Sequence, residues 1–414
     1  MGWEVFCVAR TILHCDCNNF FASCECLDMP ELKNVPMAVA GDPEKRAGIV
    51  LAKNELAKRM GVKTTDTVWQ AKEKCPGLVL VPPRHHLYAE ISKRVNAIYR
   101  EYTEYVEPAS IDESYLDLTE CLTYYHKTGR EFADMLRARV RTEIGITISV
   151  GVSFNKTFAK MGSDYKKPDA TTVITEENFR EILWVLPVTD MMFVGASAGA
   201  RLMRAGIRTI GEIASAPNDV LQTLLGKSGL HLKKMCNGLD DAPVRLFGDR
   251  PESKSVSHGT TFPRDLCTQS EVESGVVMLS DEVARRLRKE HLKGSVIQVN
   301  IKSPDLKSIS RQTALPHATS SGSEIAAGAL RLLNANWRVN EENPIRAITV
   351  AVARLVQDSE VAEQISLFDL CEPGPDSYES REKREKLEKA IDEIQNRHGK
   401  TAIVRAAAVK KEEK

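Results

Sequence analysis

The strongest constraint on the fold is a pair of adjacent carboxylates, Asp112 and Glu113, in the segment SIDESYLDL. The apolar residues that follow them at 115–118 are typical of a strand. Neighbouring strand residues point to opposite faces of a sheet, so two adjacent acids can share one site only at a turn or an irregular strand end. The sequence therefore predicts a hairpin with these acids near its turn.

A third carboxylate, Asp16, ends a short apolar run in the upstream segment ILHCDCNNFFASCE. Hard ions such as Mg²⁺ prefer carboxylate oxygens, and two of them can bind the attacking and the leaving oxygen of a displacement at phosphorus. The three acids together indicate a site that holds divalent metal ions against a phosphate-bearing substrate.

Bulk composition narrows the class of protein only slightly. The 414 residues, with 42% hydrophobic side chains and a net charge of zero, are ordinary for a globular chain of several domains. Zero net charge gives no support for nucleic-acid binding and does not exclude it, since acidic faces can balance a basic groove. No apolar run approaches the roughly 20 residues of a membrane helix, and the start lacks a signal-peptide cleavage site, so we expect no membrane partner.

The ten cysteines predict free thiols in a reducing cytoplasm. Four of them are grouped as C-x-C and C-x-C at 15–17 and 24–26, which differs from the C-x₂-C spacing of zinc ribbons. We interpret these four as buried, inert thiols in preference to a metal–thiolate site.

The order of hydrophobic patterns predicts the domains. Strand, helix, long insert, helix, hairpin, helix and strand over 11–30 and 85–175 indicate a ferredoxin-like α+β domain, with residues 31–84 as the insert. Residues 176–245 are predicted to be helical, 246–254 to form a linker, and 255–358 to form a second α/β sandwich. The segment 255–356 has 13 Lys and Arg against 10 Asp and Glu, so its charge does not establish a DNA surface.

A helix–hairpin–helix is predicted in LPVTDMMFVGASAGARLMRAGI, with Val194-Gly195 in the tight turn. Backbone N–H groups in such turns can bind a DNA phosphate. A plain packed helical pair explains this segment equally well.

These motifs, in this order, resemble those of the Y-family (translesion) DNA polymerases, in particular the bacterial DNA polymerase IV branch. ILHCDCNNFFASCE is similar to the family's first motif, SIDESYLDL to its second and VGVSFNKTFAKMGSDYKKPDA to its third. The resemblance covers residues 11–370 and implies a right-hand polymerase. It would place the palm at 11–30 and 85–175, the fingers at 31–84, the thumb at 176–245 and the little finger at 255–358.

The resemblance also implies an activity and a metal site. Asp16, Asp112 and Glu113 would ligate two Mg²⁺ ions, with the main-chain carbonyl of Cys17 as a further ligand. The expected reaction is low-fidelity, template-directed transfer from a dNTP to the primer 3′-hydroxyl of primer–template DNA. The enzyme would be a cytoplasmic monomer without proofreading.

Nucleotide contacts follow from the same resemblance. Phe21 matches the steric gate that excludes a ribose 2′-hydroxyl, and Phe20 would pack beneath the sugar or against the palm. Lys167 matches a lysine that contacts the triphosphate, whereas Lys156 and Lys160 on the same stretch match less clearly. Alternatively, both rings are core residues and Lys166-Lys167 is a solvated pair.

The chain departs from the family in the fingers and in two other motifs. KNELAKRMGV places Glu55 at a family tyrosine and Lys58 at a family arginine, where those residues bind the triphosphate. Lysine lacks the bidentate fork of arginine and glutamate repels phosphate, so we expect weaker nucleotide binding than in relatives unless Lys53 or Arg59 compensates. Asn18 replaces a second aspartate that is not a metal ligand, and the hairpin turn reads GASAG, which weakens its expected hold on phosphate.

The segment QISLFDL at 364–370 resembles the peptide with which bacterial replication proteins bind the β sliding clamp. Gln364 would hydrogen-bond at the pocket edge while Leu367 and Phe368 fill an apolar cleft. The alternative is a strand or tail that packs on its own domain. A charged helix is predicted at 378–397.

Two other functions compete with polymerase activity. One is a catalytically weak or inactive clamp-binding adaptor of the same fold, which the altered triphosphate contacts leave open. The other is a nucleotide cyclase, which uses a similar palm but has no use for the hairpin segment or the clamp-like peptide.

Overall fold

The computed structural model describes residues 10–42, 44, 48–249, 251–360, 378–399 and 402–403. The chain forms two compact units that divide between Arg250 and Pro251, inside the predicted linker. Within the described residues, no helix has the length and apolar character needed to cross a membrane.

The first unit is built on a five-stranded sheet in the order β5-β6-β1-β7-β8. All neighbours are antiparallel except β7 and β8, which are parallel. The central strand β1 is buried along its whole length, as its apolar run predicts. The strands are β1 (Ile12–Cys17), β5 (Val106–Pro108), β6 (Glu113–Asp117), β7 (Ile148–Ser153) and β8 (Thr171–Ile174).

Helices flank this sheet and bury their apolar faces in its core. Apolar residues at helical spacing over 86–104 predict a helix there, but the helix stops at Arg100, and Tyr102 packs on the core from the following turn. Thr128 and Glu131 form a capping box that begins the helix before β7. The helices are α1 (Phe20–Asp28), α4 (His85–Arg100), α5 (Cys121–Tyr125), α6 (Gly129–Glu143) and α7 (Lys156–Tyr165).

The predicted insert forms a three-stranded sheet in the order β3-β2-β4. The run of good helix formers from Lys53 to Met60 predicts a helix, but Lys53 instead ends β3. The helix begins after Asn54, because the Asn54 side chain accepts the N–H of Ala57 and caps it. The elements are β2 (Met37–Ala40), β3 (Val50–Lys53), α2 (Glu55–Arg59), α3 (Val68–Lys74) and β4 (Val79–Val81).

The segment predicted to be helical contains five α-helices among its described residues. The turn before α9 has Phe193 at φ 66°, in the left-handed region, and Gly195 as the N-cap. The predicted helix–hairpin–helix would have a longer helix before this turn. The structure instead has a 3₁₀ turn there, at Val188–Asp190. The helices are α8 (Phe179–Leu183), α9 (Ala196–Arg204), α10 (Ile210–Ser215), α11 (Asn218–Leu225) and α12 (Lys227–Cys236).

The first part of the predicted linker packs on the first unit. The Phe247 N–H donates to the Glu104 carbonyl at 3.0 Å, and the Arg100 guanidinium lies 4.3 Å from the centre of the Phe247 ring.

The second unit is a four-stranded antiparallel sheet, β11-β10-β12-β9, whose core is formed with two helices, α13 and α14. A final helix, α15, contacts this unit through ion pairs from Arg288 to Glu388 and Asp392. The elements are β9 (Ser255–Leu266), α13 (Gln269–Lys289), β10 (Leu292–Lys302), β11 (Ser308–Thr319), α14 (Gly322–Asn336), β12 (Ile345–Gln357) and α15 (Tyr378–His398).

Candidate active site

Two of the three predicted acids meet at adjacent strand ends. Asp16 near the end of β1 pairs with Glu113, the first residue of β6, in the antiparallel register. Directly opposed residues of antiparallel strands extend to the same face, so their side chains lie side by side. The hairpin that the sequence predicts around Glu113 is confirmed by the pairing of β5 with β6.

The two carboxylates converge on one ammonium group. Lys160 Nζ donates to Asp16 Oδ2 at 3.2 Å and to Glu113 Oε1 at 2.7 Å. Lys167 Nζ donates to the same Asp16 oxygen at 2.6 Å. Asp164 pairs with both lysines, at 3.1 Å and 2.6 Å, so the site is a cluster of three acids and two lysines.

Asp112 is anchored differently. Its carbonyl accepts the Cys17 N–H at 3.0 Å, which ties the turn to the end of β1. Its carboxylate accepts the Ser110 hydroxyl at 2.6 Å. In the part of the chain that the structure describes, no three His, Cys, Asp or Glu side chains are arranged to hold a metal ion.

The donor chemistry of the site nevertheless fits a hard cation. The carboxylates of Asp16 and Glu113 face each other, and the positive charge of Lys160 lies between their oxygens. Asp112 is the residue next to Glu113, and its side chain is half-buried. Oxygen-only donors of this kind suit Mg²⁺.

Burial and charge set the protonation of these groups. Burial raises the pKa of Asp16 to about 6, although Lys167 and Lys160 oppose that shift. The pKa of Glu113 is lowered, by the His14 ring first and by Lys160 next. Burial opposes the charge on Lys160, but Glu113, Asp16 and Asp164 outweigh it, so the pKa of Lys160 is raised.

Close packing of α7 on the sheet brings both lysines to the acids. A side chain at Gly151 of β7 would overlap the backbone of Ala159 and Ser163, so only glycine allows this approach. The Asn155 side chain accepts the Phe158 N–H at 2.8 Å and caps the start of α7.

Phe21 lies against a fixed aromatic side chain. Its ring stacks on Tyr88 with 4.1 Å between centroids, and the Tyr88 hydroxyl donates to Glu25 Oε1 at 2.5 Å. Arg84 pairs with the same buried carboxylate. Phe20 is 3% exposed and belongs to the core.

The residues that depart from the family motifs contact one another or the strand ends. Asn19 Nδ2 donates to Glu55 Oε1 at 3.0 Å, which links the insert to the residue before α1. Lys58 lies 3.6 Å from the same carboxylate oxygen. Asn18 accepts the Ser149 hydroxyl at 2.8 Å and donates to Thr147, which ties β1 to β7.

Several predicted residues have a simpler outcome. The four grouped cysteines, Cys15, Cys17, Cys24 and Cys26, are buried free thiols, as interpreted from their spacing. Lys156 pairs with Glu107 at 2.7 Å, away from Asp16. Gln364, Leu367 and Phe368 lie outside the described residues, so the clamp peptide stays a prediction.

Sequence reasoning missed His14 and Ser163 and left Lys160 uncertain. His14 is fully buried in β1, and its Nδ1 lies 2.8 Å from Ser163 Oγ. The available signal was a histidine inside an otherwise apolar run, two residues before Asp16.

Comparisons with known proteins identify the family. The model of the impB/mucB/samB family matches residues 15–164, and the model of that family's C-terminal domain matches 253–367. A DNA polymerase IV of Acetivibrio thermocellus is 44% identical over 396 residues, covering 96% of each chain. The chain belongs to the Y family of DNA polymerases.

Other members of this Y-family group are similar over almost the whole chain. DNA polymerase IV 1 of Bacillus subtilis is 35% identical over 408 residues, 98% of this chain and 94% of that one. A solved Y-family DNA polymerase chimera superposes with a TM-score of 0.73 at 24% identity, covering 84% of this chain and 99% of its own. The predicted α+β polymerase fold is confirmed. The domain boundaries and the roles of individual site residues stay predictions.

Proposed function

We propose that this Y-family member extends a DNA primer across damaged template by two-metal-ion transfer from a dNTP, with release of pyrophosphate. Family membership makes the chain a DNA-directed DNA polymerase of the translesion class. The observation that carries the metal part of the proposal is the convergence of Asp16 and Glu113 on a single positive charge.

Enzymes of this family generally depend on divalent metal. Asp16, Glu113 and Asp112 would hold two Mg²⁺ ions together with the main-chain carbonyl of Cys17. When bound, the ions would lower the pKa of the primer hydroxyl and stabilise negative charge on the reacting phosphate.

The lysines contribute their own charge. Lys160 and Lys167 neutralise the charge of buried Asp16 in this structure. Because a buried charge is costly unless it is paired, the lysines stabilise this carboxylate in the protein interior. Both ammonium groups are point charges on flexible stems, so they can exchange a carboxylate for a phosphate oxygen. Lys167 is the one that we assign to the triphosphate.

Phe21 is proposed to exclude ribonucleotides. Its ring is stacked on Tyr88, whose hydroxyl is held by buried Glu25, so it cannot move aside without breaking that contact. A rigid wall discriminates by clash with a 2′-hydroxyl.

The proposed partners are primer–template DNA, dNTPs and the bacterial β sliding clamp, and the proposed state is a monomer. Clamp binding is assigned to Gln364, Leu367 and Phe368 on the QISLFDL pattern alone. The cyclase alternative is not supported, because the relatives over the whole chain are DNA polymerases.

The adaptor is the remaining alternative, and one observation favours it: Glu55, which the family resemblance places at a triphosphate-binding tyrosine, is a carboxylate 3.6 Å from Lys58. An adaptor would bind DNA and clamp without extending a primer.

Primer extension with Mg²⁺ and dNTPs tests the proposal. Wild type should extend the primer, whereas Asp112→Ala/Glu113→Ala should abolish extension while keeping DNA binding. Glu341→Ala/Glu342→Ala, another adjacent acid pair that is exposed, is the matched control and should retain full activity. Folded, DNA-binding wild type that does not extend would establish the adaptor instead.

A further inference from the structure

His14 is a buried titratable side chain that the proposed chemistry does not use. It lies in the centre of β1, where its strand neighbours are Tyr115 on β6 and Gly151 on β7. The Tyr115 ring contacts it edge-on at 4.6 Å between centroids. A fully buried imidazole needs hydrogen-bond partners for both ring nitrogens.

One nitrogen has a defined partner. Nδ1 lies 2.8 Å from the Ser163 hydroxyl oxygen, and Ser163 is itself 1% exposed. The contact exists because Gly151, directly opposite His14, lets α7 approach the sheet at Ser163.

The other nitrogen faces the candidate active site. Nε2 lies 3.8 Å from Glu113 Oε2 and has no hydrogen-bond partner among the described residues. The second oxygen of the same carboxylate accepts Lys160 at 2.7 Å. Each Glu113 oxygen therefore has its own neighbour, one flexible ammonium and one rigid ring.

The Ser163 hydroxyl helps to decide which ring nitrogen of His14 carries the proton. It can donate either to His14 Nδ1 or to the Lys160 carbonyl at 2.7 Å. A carbonyl inside a helix already accepts the N–H four residues on, so it does not require this proton. A carboxylate facing Nε2 favours the tautomer whose proton is on Nε2, since a lone pair there would be repelled.

We propose that His14 is a positioning residue for Glu113: Ser163 donates to Nδ1, and the Nε2–H that this leaves orients the carboxylate. The distance of 3.8 Å closes to a hydrogen bond by a small rotation of the Glu113 side chain. Outer partners that orient ligating groups in this way typically change metal affinity or activity by about 10- to 100-fold when removed. This inference rests on the proposed polymerase function.

Kinetics of three variants test it. His14→Phe keeps the ring shape and removes both nitrogens, Ser163→Ala removes the donor to Nδ1, and His14→Gln keeps an N–H near the Nε2 position. The kcat of primer extension should fall about 10- to 100-fold in His14→Phe, with the dNTP KM within about threefold. The kcat of Ser163→Ala should fall less than that of His14→Phe, and the kcat of His14→Gln should be close to that of wild type.

Two further measurements separate positioning from packing. Electron paramagnetic resonance of free Mn²⁺ measures how much Mn²⁺ the protein binds. The Mn²⁺ concentration that half-saturates the protein should be higher for His14→Phe than for His14→Gln. The ¹⁵N shifts of His14 in wild type should report the Nε2–H tautomer. If His14→Phe does not fold, the kcat of Ser163→Ala and the His14 tautomer in wild type test the proposal in its place.

Wild-type kcat and Mn²⁺ binding in folded His14→Phe, or an Nδ1–H tautomer in wild type, would overturn the inference and leave the polymerase proposal standing. Wild type that does not extend a primer would overturn both.

Discussion

At the residue scale, Asp16 and Glu113 differ in pKa because they differ in burial and in their hydrogen-bonding neighbours. Asp16 has a side chain that is 8% exposed, and burial raises its pKa, whereas Glu113 at 26% exposure has a lowered pKa beside Lys160 and His14. Two neighbouring carboxylates thus differ in how readily they bind a proton, and Asp16 is the one that competes for it near neutral pH.

The first prediction concerns pH and metal binding. Protons and metal ions compete for the Asp16 oxygens, and the protonated fraction grows as pH falls through about 6. Apparent Mn²⁺ affinity should therefore fall at pH below 6, by up to about tenfold per pH unit. Calorimetric titration from pH 5 to 8 checks this, and a flat profile would contradict it. In Asp16→Asn, the Mn²⁺ affinity should not fall in this way below pH 6.

The second prediction concerns the altered triphosphate contacts. Glu55→Tyr/Lys58→Arg replaces a repelling carboxylate and a point charge with the tyrosine and arginine that the family resemblance implies at these positions, and an arginine fork binds phosphate bidentately. A charged hydrogen bond contributes about 1.5 to 3 kcal/mol, so the dNTP KM should fall about tenfold or more. Steady-state kinetics measure it, with Lys58→Arg alone as the smaller step.

A wild-type KM equal to or lower than that of the double mutant would show that this chain binds the triphosphate by other residues. The Asn19–Glu55 hydrogen bond would be lost in both outcomes, so unfolding of the double mutant should be measured beside the kinetics.

Residues of the site differ in how far the sequence predicts them. Asp16, Asp112 and Glu113 are recognisable because acids next to apolar strand patterns are chemically conspicuous. His14 and Ser163 are not, because their roles depend on the approach of α7 to the sheet, which no local pattern records. The Asp112 contact with Ser110 depends on the turn geometry, which local pattern also leaves open.

At the element scale, the contact between α7 and β7 determines the site. Gly151 allows backbone to approach backbone, and α7 then carries Lys160 and Ser163 to the strand ends. The sequence predicts the strand β7 but not the helix α7 that follows it. It does not predict how closely they pack.

The third prediction is that Gly151→Ala reduces stability and activity together. Its Cβ would overlap the Ala159 carbonyl and the Ser163 nitrogen, so α7 must move outward. Overpacking of this kind costs about 1 to 3 kcal/mol in the free energy of unfolding, which urea denaturation measures. Gly77→Ala is the matched control, since a Cβ there meets nothing within 4 Å. Equal stability of the two variants would contradict the packing argument.

At the scale of the whole molecule, two units carry separate cores, and each element pattern along the chain falls within one of them. Local periodicity predicts most strands and helices of both units. The ion pairs that attach α15 are beyond such prediction, because Arg288 and Glu388 are separated by 100 residues in the chain.

The fourth prediction tests that attachment. Arg288 has 10% exposure, binds Asp392 through two nitrogens and donates to Glu388 at 2.7 Å. Glu388 also accepts the Gly322 N–H at the start of α14. Arg288→Met leaves both acids without this partner and should lower the free energy of unfolding of the second unit by about 3 to 5 kcal/mol.

Thermal and urea unfolding measure this change. Exposed Arg331→Met on α14 is the control and should stay within about 0.5 kcal/mol of wild type. A loss in Arg288→Met no larger than that of the control would show that α15 is held by other contacts.

The attachment of α15 is non-covalent and lies within the second unit, since α15 returns to the domain that contains β12. A break in the polypeptide between β12 and α15 would therefore leave its two pieces together. The shorter fragment, beginning before α15, would co-elute with the rest of the molecule in native buffer and leave it only when the Arg288 ion pairs are dissociated.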